Sequence, residues 1–226
     1  MTKKSLMLVV VIILQLSFLS SFAQTRISVS IGAANPLNSF GSVDSTDAHS
    51  NGAAMGAVIG VKVSHQFKES KFSMYGSLDL IYNGLSKGRK EKLDKLYSGI
   101  FGSSISYVYE QYLNFPVALG IIYSHEINES VSLMGNVGLA YNFSRITEGG
   151  IKTGIGYPYR AEYGWSSSAG YKVGGGILFN NKVSLSLDYF NLGENSFSVK
   201  TSPIDIPSRY LIKNTNVASL SLGIWF

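Results

Sequence analysis

Eight stretches of this chain alternate bulky apolar residues with small or polar ones at a period of two, a pattern that few folds can accommodate. They span residues 26–34, 53–66, 72–84, 105–124, 130–145, 164–179, 183–192 and 215–226. The second carries Met55, Ala57, Ile59, Val61 and Val63 on one face, against Gly56, Gly60, Lys62 and Ser64 on the other. The fifth carries Val131, Leu133, Val137, Leu139, Tyr141 and Phe143 against Ser132, Asn136 and Asn142. Successive side chains of a strand point to opposite faces, so each stretch reads as a β-strand with one greasy side. Beyond Gln24 a helical period is hard to find.

Which way the greasy side points follows from bulk. The interior of a small closed barrel is the cramped side, and here the polar face is the one studded with Gly and Ser. The bulky face therefore belongs outside, where it needs lipid. Only 15% of residues are charged, while 24 Gly, 14 Tyr and 12 Phe are present, as suits such a surface. Each strand has at least nine residues, enough to cross a bilayer when tilted. The links alternate too: 35–52, 85–104, 146–163 and 195–214 are long, whereas 68–71, 125–129 and 180–182 are short. The expectation is a closed eight-stranded antiparallel transmembrane β-barrel, with short periplasmic turns and long extracellular loops. Aromatic girdles are expected from Tyr82, Tyr107, Tyr109, Tyr123, Tyr141, Phe143, Phe179 and Tyr189.

Residues 1–23 read as a signal peptide. Lys3 and Lys4 are followed by an apolar run over 6–19, then by Ser21 and Ala23 at the third and first positions before a cut preceding Gln24. Residues 24–226 then form a single outer-membrane barrel domain. There is no Cys, which excludes disulfides and thiol chemistry. Lys and Arg are dispersed, so no nucleic-acid partner is expected.

With the strands in place, the chain resembles the small outer-membrane β-barrel proteins of Bacteroidetes-type bacteria, including the PorT-like group. The resemblance rests on residues 25–32, on 112–120 (Tyr-Leu-Asn-Phe-Pro-Val-Ala-Leu-Gly), on Gly174-Gly175-Gly176, and on 220–226 (Leu-Ser-Leu-Gly-Ile-Trp-Phe). Asn114 stands where that family usually has an acidic residue. Membership implies fold and membrane, with a possible link to protein secretion, and no single activity. The final Phe226 looks like the aromatic end by which the barrel-assembly machinery recognises its clients.

Inward-facing charges by parity are Arg26, Lys62 and Lys172 against Asp79, Glu110 and Asp188, an expected lumenal ion-pair network that plugs the barrel. Lys62 is expected to pair diagonally with Asp79, and Lys172 with Asp188. Lys87, Arg89, Lys90, Lys92 and Lys95 cluster in the second long link, a candidate contact for lipopolysaccharide phosphates or simply a solvated loop with a short helix. Pro116 is expected to mark a bulge or a kink in the fourth strand. His49, His65 and His125 lack ligand-like spacing, and Ser64 and His65 are strand neighbours pointing apart, so no metal, cofactor or catalytic site is expected. The function expected is that of a non-enzymatic outer-membrane barrel with a structural, adhesive or envelope-assembly role. A lipid-modifying enzyme and a soluble lipocalin-like ligand carrier are the alternatives.

Overall fold

Each of the eight alternating stretches contributes one strand to a single closed barrel. The computed structural model describes residues 25–43, 51–67, 70–101, 106–153, 156–203 and 208–226. The expected signal peptide and His49 lie outside these residues. The barrel strands are β1 (Thr25–Leu37), β2 (Gly56–Gln66), β3 (Phe72–Asn83), β5 (Tyr112–Asn128), β6 (Val131–Ile146), β9 (Trp165–Phe179), β10 (Val183–Asn191) and β13 (Asn216–Trp225). Each pairs antiparallel with its neighbours along the chain, and β1 closes on β13. At that seam Phe226 N donates to Ile27 O at 2.8 Å, so the last residue completes the ladder.

The parity expected from the sequence holds in every barrel strand. Ile31, Leu139 and Leu187 lie outward, 62%, 78% and 61% exposed, and the other bulky residues of that face form a continuous apolar belt with them. Water would be a poor solvent for a band of this size, because a monomeric soluble protein rarely exposes contiguous apolar patches beyond a few hundred Å². Aromatic pairs edge the belt. Phe72 and Tyr123 meet at 5.2 Å near the short-turn end; Phe115–Trp165 and Tyr141–Phe143 meet at 5.9 and 5.1 Å toward the other. No described helix is long and apolar enough to cross a membrane.

The short turns need little. Asn180 and Asn181 both adopt positive φ (47° and 58°) in the three-residue turn between Phe179 and Val183, where Lys182 N donates to Phe179 O at 2.9 Å. Pro116 faces the lumen without shifting the register of β5 against β3 or β6, so the expected bulge is not there. The irregularity of β5 falls instead between Glu126 and Asn128, beside its turn.

The long links are where the fold departs from expectation. They are not simple loops. A second, five-stranded sheet runs in the order β12-β11-β8-β7-β4, built from β4 (Ser106–Val108), β7 (Gly149–Thr153), β8 (Gly156–Tyr163), β11 (Asn195–Ser202) and β12 (Ser208–Ile212). It joins the second, third and fourth long links into one cap. The first link contributes a short helix, α1 (Asn38–Gly41), and the second a longer one, α2 (Lys87–Phe101). The expected fourth strand, 105–124, therefore splits in two. Its first part, β4, pairs with β7 in the cap, and the barrel strand starts only at Tyr112. Tyr107 and Tyr109 consequently belong to the cap and not to a membrane girdle.

Candidate functional site

The lumen is filled in layers, and the bulky residues in it share parity with the polar ones. Near the short-turn end Tyr75, Ala118, Ile122, Ala140, Leu178 and Trp225 pack together. Toward the cap, Ala34, Val58, Ile81, Phe190 and Val217 from the strands meet Phe40, Leu85, Phe197 and Ile212 from the links. Phe40 sits on Tyr112 edge to face at 5.2 Å, so α1 packs against the apolar layer at the cap end of the lumen. The expectation of a lumen made only of small and polar side chains is corrected: apolar layers bracket a polar middle.

Charges occupy that middle. Lys172, 2% exposed, reaches Asp79 at 3.1 Å and Asp188 at 3.7 Å. Asn136 donates to Asp188 Oδ1 at 2.9 Å and Ser77 to Asp79 Oδ2 at 3.2 Å, so each carboxylate has a second donor. Lys62 lies diagonal to Asp79 in the register, as expected, but forms no ion pair with it; its amine sits over the Tyr75 ring at 5.4 Å. Two glycines make the room. A Cβ at Gly174 would come within 2.0 Å of Asp188 Oδ1, and one at Gly60 within 2.4 Å of Asp79 Oδ1. Two lysines and two aspartates leave this layer neutral, which suits a site almost closed to water.

The other two expected members of the network are elsewhere. Arg26 is at the short-turn mouth, donating to Asn181 O at 2.9 Å and lying over Trp225 at 5.9 Å, with no carboxylate partner among the described residues. It lines a polar vestibule of about 510 Å³ that stops at the Trp225 layer. Glu110 lies in the cap, because the chain leaves the barrel before Tyr112 and parity counted through that break has no meaning. The network of six is in fact a group of four.

Glu110 instead anchors a second hollow of about 180 Å³, lined by Arg89, Tyr97, Tyr107, Tyr163 and Tyr210 among others. Its Oε1 accepts from Tyr107 Oη at 3.1 Å and from Tyr163 Oη at 3.2 Å. Tyr97 and Tyr107 stack at 5.3 Å, and Tyr163 meets Tyr210 at 5.9 Å. Burial, and then the Glu110 charge, push the Tyr107 and Tyr163 hydroxyls well above the usual phenol range, so both remain donors. Sequence reading could not assemble this site, since its walls come from three links that meet only through long-range pairing.

The five cations of the second link do not form one patch. They lie on or beside α2. Lys87 faces Glu91 at 3.8 Å, Lys90 lies over Tyr109 at 5.0 Å, and Lys92 donates to Val43 O at 2.6 Å. Arg89 turns into the tyrosine hollow and Lys95 is exposed. Ser64 is buried in the lumen while His65 Nδ1 contacts Thr25 Oγ1 at 3.0 Å, so the two stay on opposite faces.

The chain is similar to several solved structures. Neisserial surface protein A (NspA) is 13% identical, with 90% of this chain and 97% of that chain covered at a TM-score of 0.52. The outer membrane protein OprG from Pseudomonas aeruginosa is 10% identical over 91% and 97%, with a TM-score of 0.48. A major outer membrane protein from Thermus thermophilus is 13% identical over 89% and 99%, also at 0.48. No protein-family model matches the chain, and no curated protein sequence does.

Proposed function

We propose that this chain is a non-enzymatic outer-membrane barrel whose lumen is plugged and whose work is done by the cap, in an adhesive, structural or envelope-assembly role. One observation carries this reading: an apolar belt surrounds a lumen packed with side chains, and the long links at one end form an ordered sheet. A barrel of eight strands has an interior just wide enough for its own side chains, so little is left for transport. The belt supports residence in lipid. An even number of antiparallel strands, with short turns at one end and long links at the other, supports the outer membrane in particular. Short turns and both ends of the mature chain then face the periplasm, and the cap faces outward. A cleaved signal peptide over residues 1–23 provides the export route, and Phe226 the signal to the barrel-assembly machinery. The amines of Lys87 and Lys95 contact lipopolysaccharide phosphates at the outer rim, with Lys90 and Lys92 held closer to the protein. A secretion or envelope partner, as the PorT-like resemblance implies, would dock on the cap.

Reconstitution into planar bilayers tests the plug. Low conductance is the expected result, because Lys172 with its two aspartates and the Phe40 layer leave no continuous water path. Stable large channels would contradict it.

A further inference from the structure

We infer that the tyrosine hollow of the cap binds a single neutral sugar unit. Its volume of about 180 Å³ is below the usual range for drug-sized ligands and suits one small ring. Tyr97, Tyr107, Tyr163 and Tyr210 are among its walls, and the negative π-face of an aromatic ring attracts the weakly positive C–H face of a pyranose. Polar contacts come from two opposite charges. Glu110 uses Oε1 for the two tyrosine hydroxyls and, ionised, offers about four acceptor positions in all, leaving capacity for a ligand hydroxyl. Arg89 supplies donors only, from a stem packed over Gly52, whose φ of +65° and lack of a Cβ let the side chain lie close. Among the described residues neither Arg89 nor Glu110 has an ion-pair partner.

This charge pattern disfavours a ligand of a single charge. A cation would be attracted by Glu110 and opposed by Arg89, and an anion the reverse. A molecule bearing several hydroxyls satisfies both, because each hydroxyl donates to the carboxylate and accepts from the guanidinium. Binding itself depends only on the folded cap. The identity of the glycan that reaches it depends on the outward orientation proposed above, so a failure of one is separable from a failure of the other.

The test is saturation-transfer NMR on the full folded chain in a detergent without a sugar headgroup. Glucose, galactose, mannose and N-acetylglucosamine are the probes, with tetramethylammonium and acetate as charged comparators. At least one sugar is expected to bind saturably, with Kd on the order of 1 mM. Glu110→Gln and Arg89→Met are each expected to weaken it roughly tenfold while heat-modifiable gel mobility stays intact. Tyr163→Phe, which keeps the ring and removes one bond to Glu110, gives a smaller loss. Saturable binding of no sugar, binding of a charged comparator alone, or unchanged affinity in both Glu110→Gln and Arg89→Met overturns the inference.

Discussion

Lys172→Met is expected to destabilise the barrel by about 3–5 kcal/mol, the cost of leaving buried charge without its partner. Lys172 is the only described group within ion-pair distance of either Asp79 or Asp188. Without it, two carboxylates share a nearly dry layer with Lys62, whose amine sits over the Tyr75 ring and forms no ion pair with either of them. The quadruple variant K62M/D79N/K172M/D188N removes the charges of this layer together and is expected to recover more than half of the loss. Methionine fills the lysine's volume, and amides retain donors and acceptors for Asn136 and Ser77. Urea titration of folding into lipid vesicles, read by gel mobility, gives both numbers. Equal losses in the single and quadruple variants would mean that packing, and not charge compensation, sets the stability of this layer.

Leu139→Arg is expected to cost about 2–4 kcal/mol in the same assay, as arginine does near the bilayer midplane on the lipid face of a barrel. Leu139 lies midway along β6, opposite Leu119 of β5 and Tyr171 of β9, and is 78% exposed. In a water-soluble protein a position this open would accept arginine within about 0.5 kcal/mol. Leu96→Arg on α2, in the cap and 56% exposed, is the control and is expected to be near neutral. A similar small effect at both positions would speak against lipid around the belt.

Both predictions use features that were legible to different degrees. The outward set was plain in the sequence, because alternation such as Ile59-Gly60-Val61-Lys62-Val63 admits only one pleat and the crowded side must be the glycine side. Lys62, Asp79, Lys172 and Asp188 were placed in the lumen by the same parity. Their pairing was harder to read. The bond from Lys172 to Asp79 crosses the lumen between β9 and β3, which are not neighbours in the barrel, and cross-strand rules reach only adjacent strands.

The remaining differences have one cause, which is that parity is blind to where a strand stops. Tyr107, Tyr109, Leu113 and Phe115 keep one parity, interrupted only by Gln111, yet the chain changes sheets between Val108 and Tyr112. That break takes Glu110 out of the lumen and into the tyrosine hollow. Tyr75, Ile81 and Phe190 stood at inward positions all along, but nothing in their spacing distinguishes an apolar layer from an omission in the polar pattern. The cap sheet could be read least of all: β7–β8 and β11–β12 are local hairpins, but the pairings that make one sheet of them, β4–β7 and β8–β11, join different links gathered at one rim. Such non-local pairing leaves no local signature.

The direction of the apolar belt is tested most directly by spin labels placed one at a time at Leu139 and Leu187, which is straightforward because the chain has no native Cys. In lipid bilayers, collisions with dissolved oxygen are expected to exceed those with a water-soluble nickel chelate at both sites. A purified mature chain that stays monomeric in buffer without surfactant, with both labels favouring the nickel reagent, would contradict it.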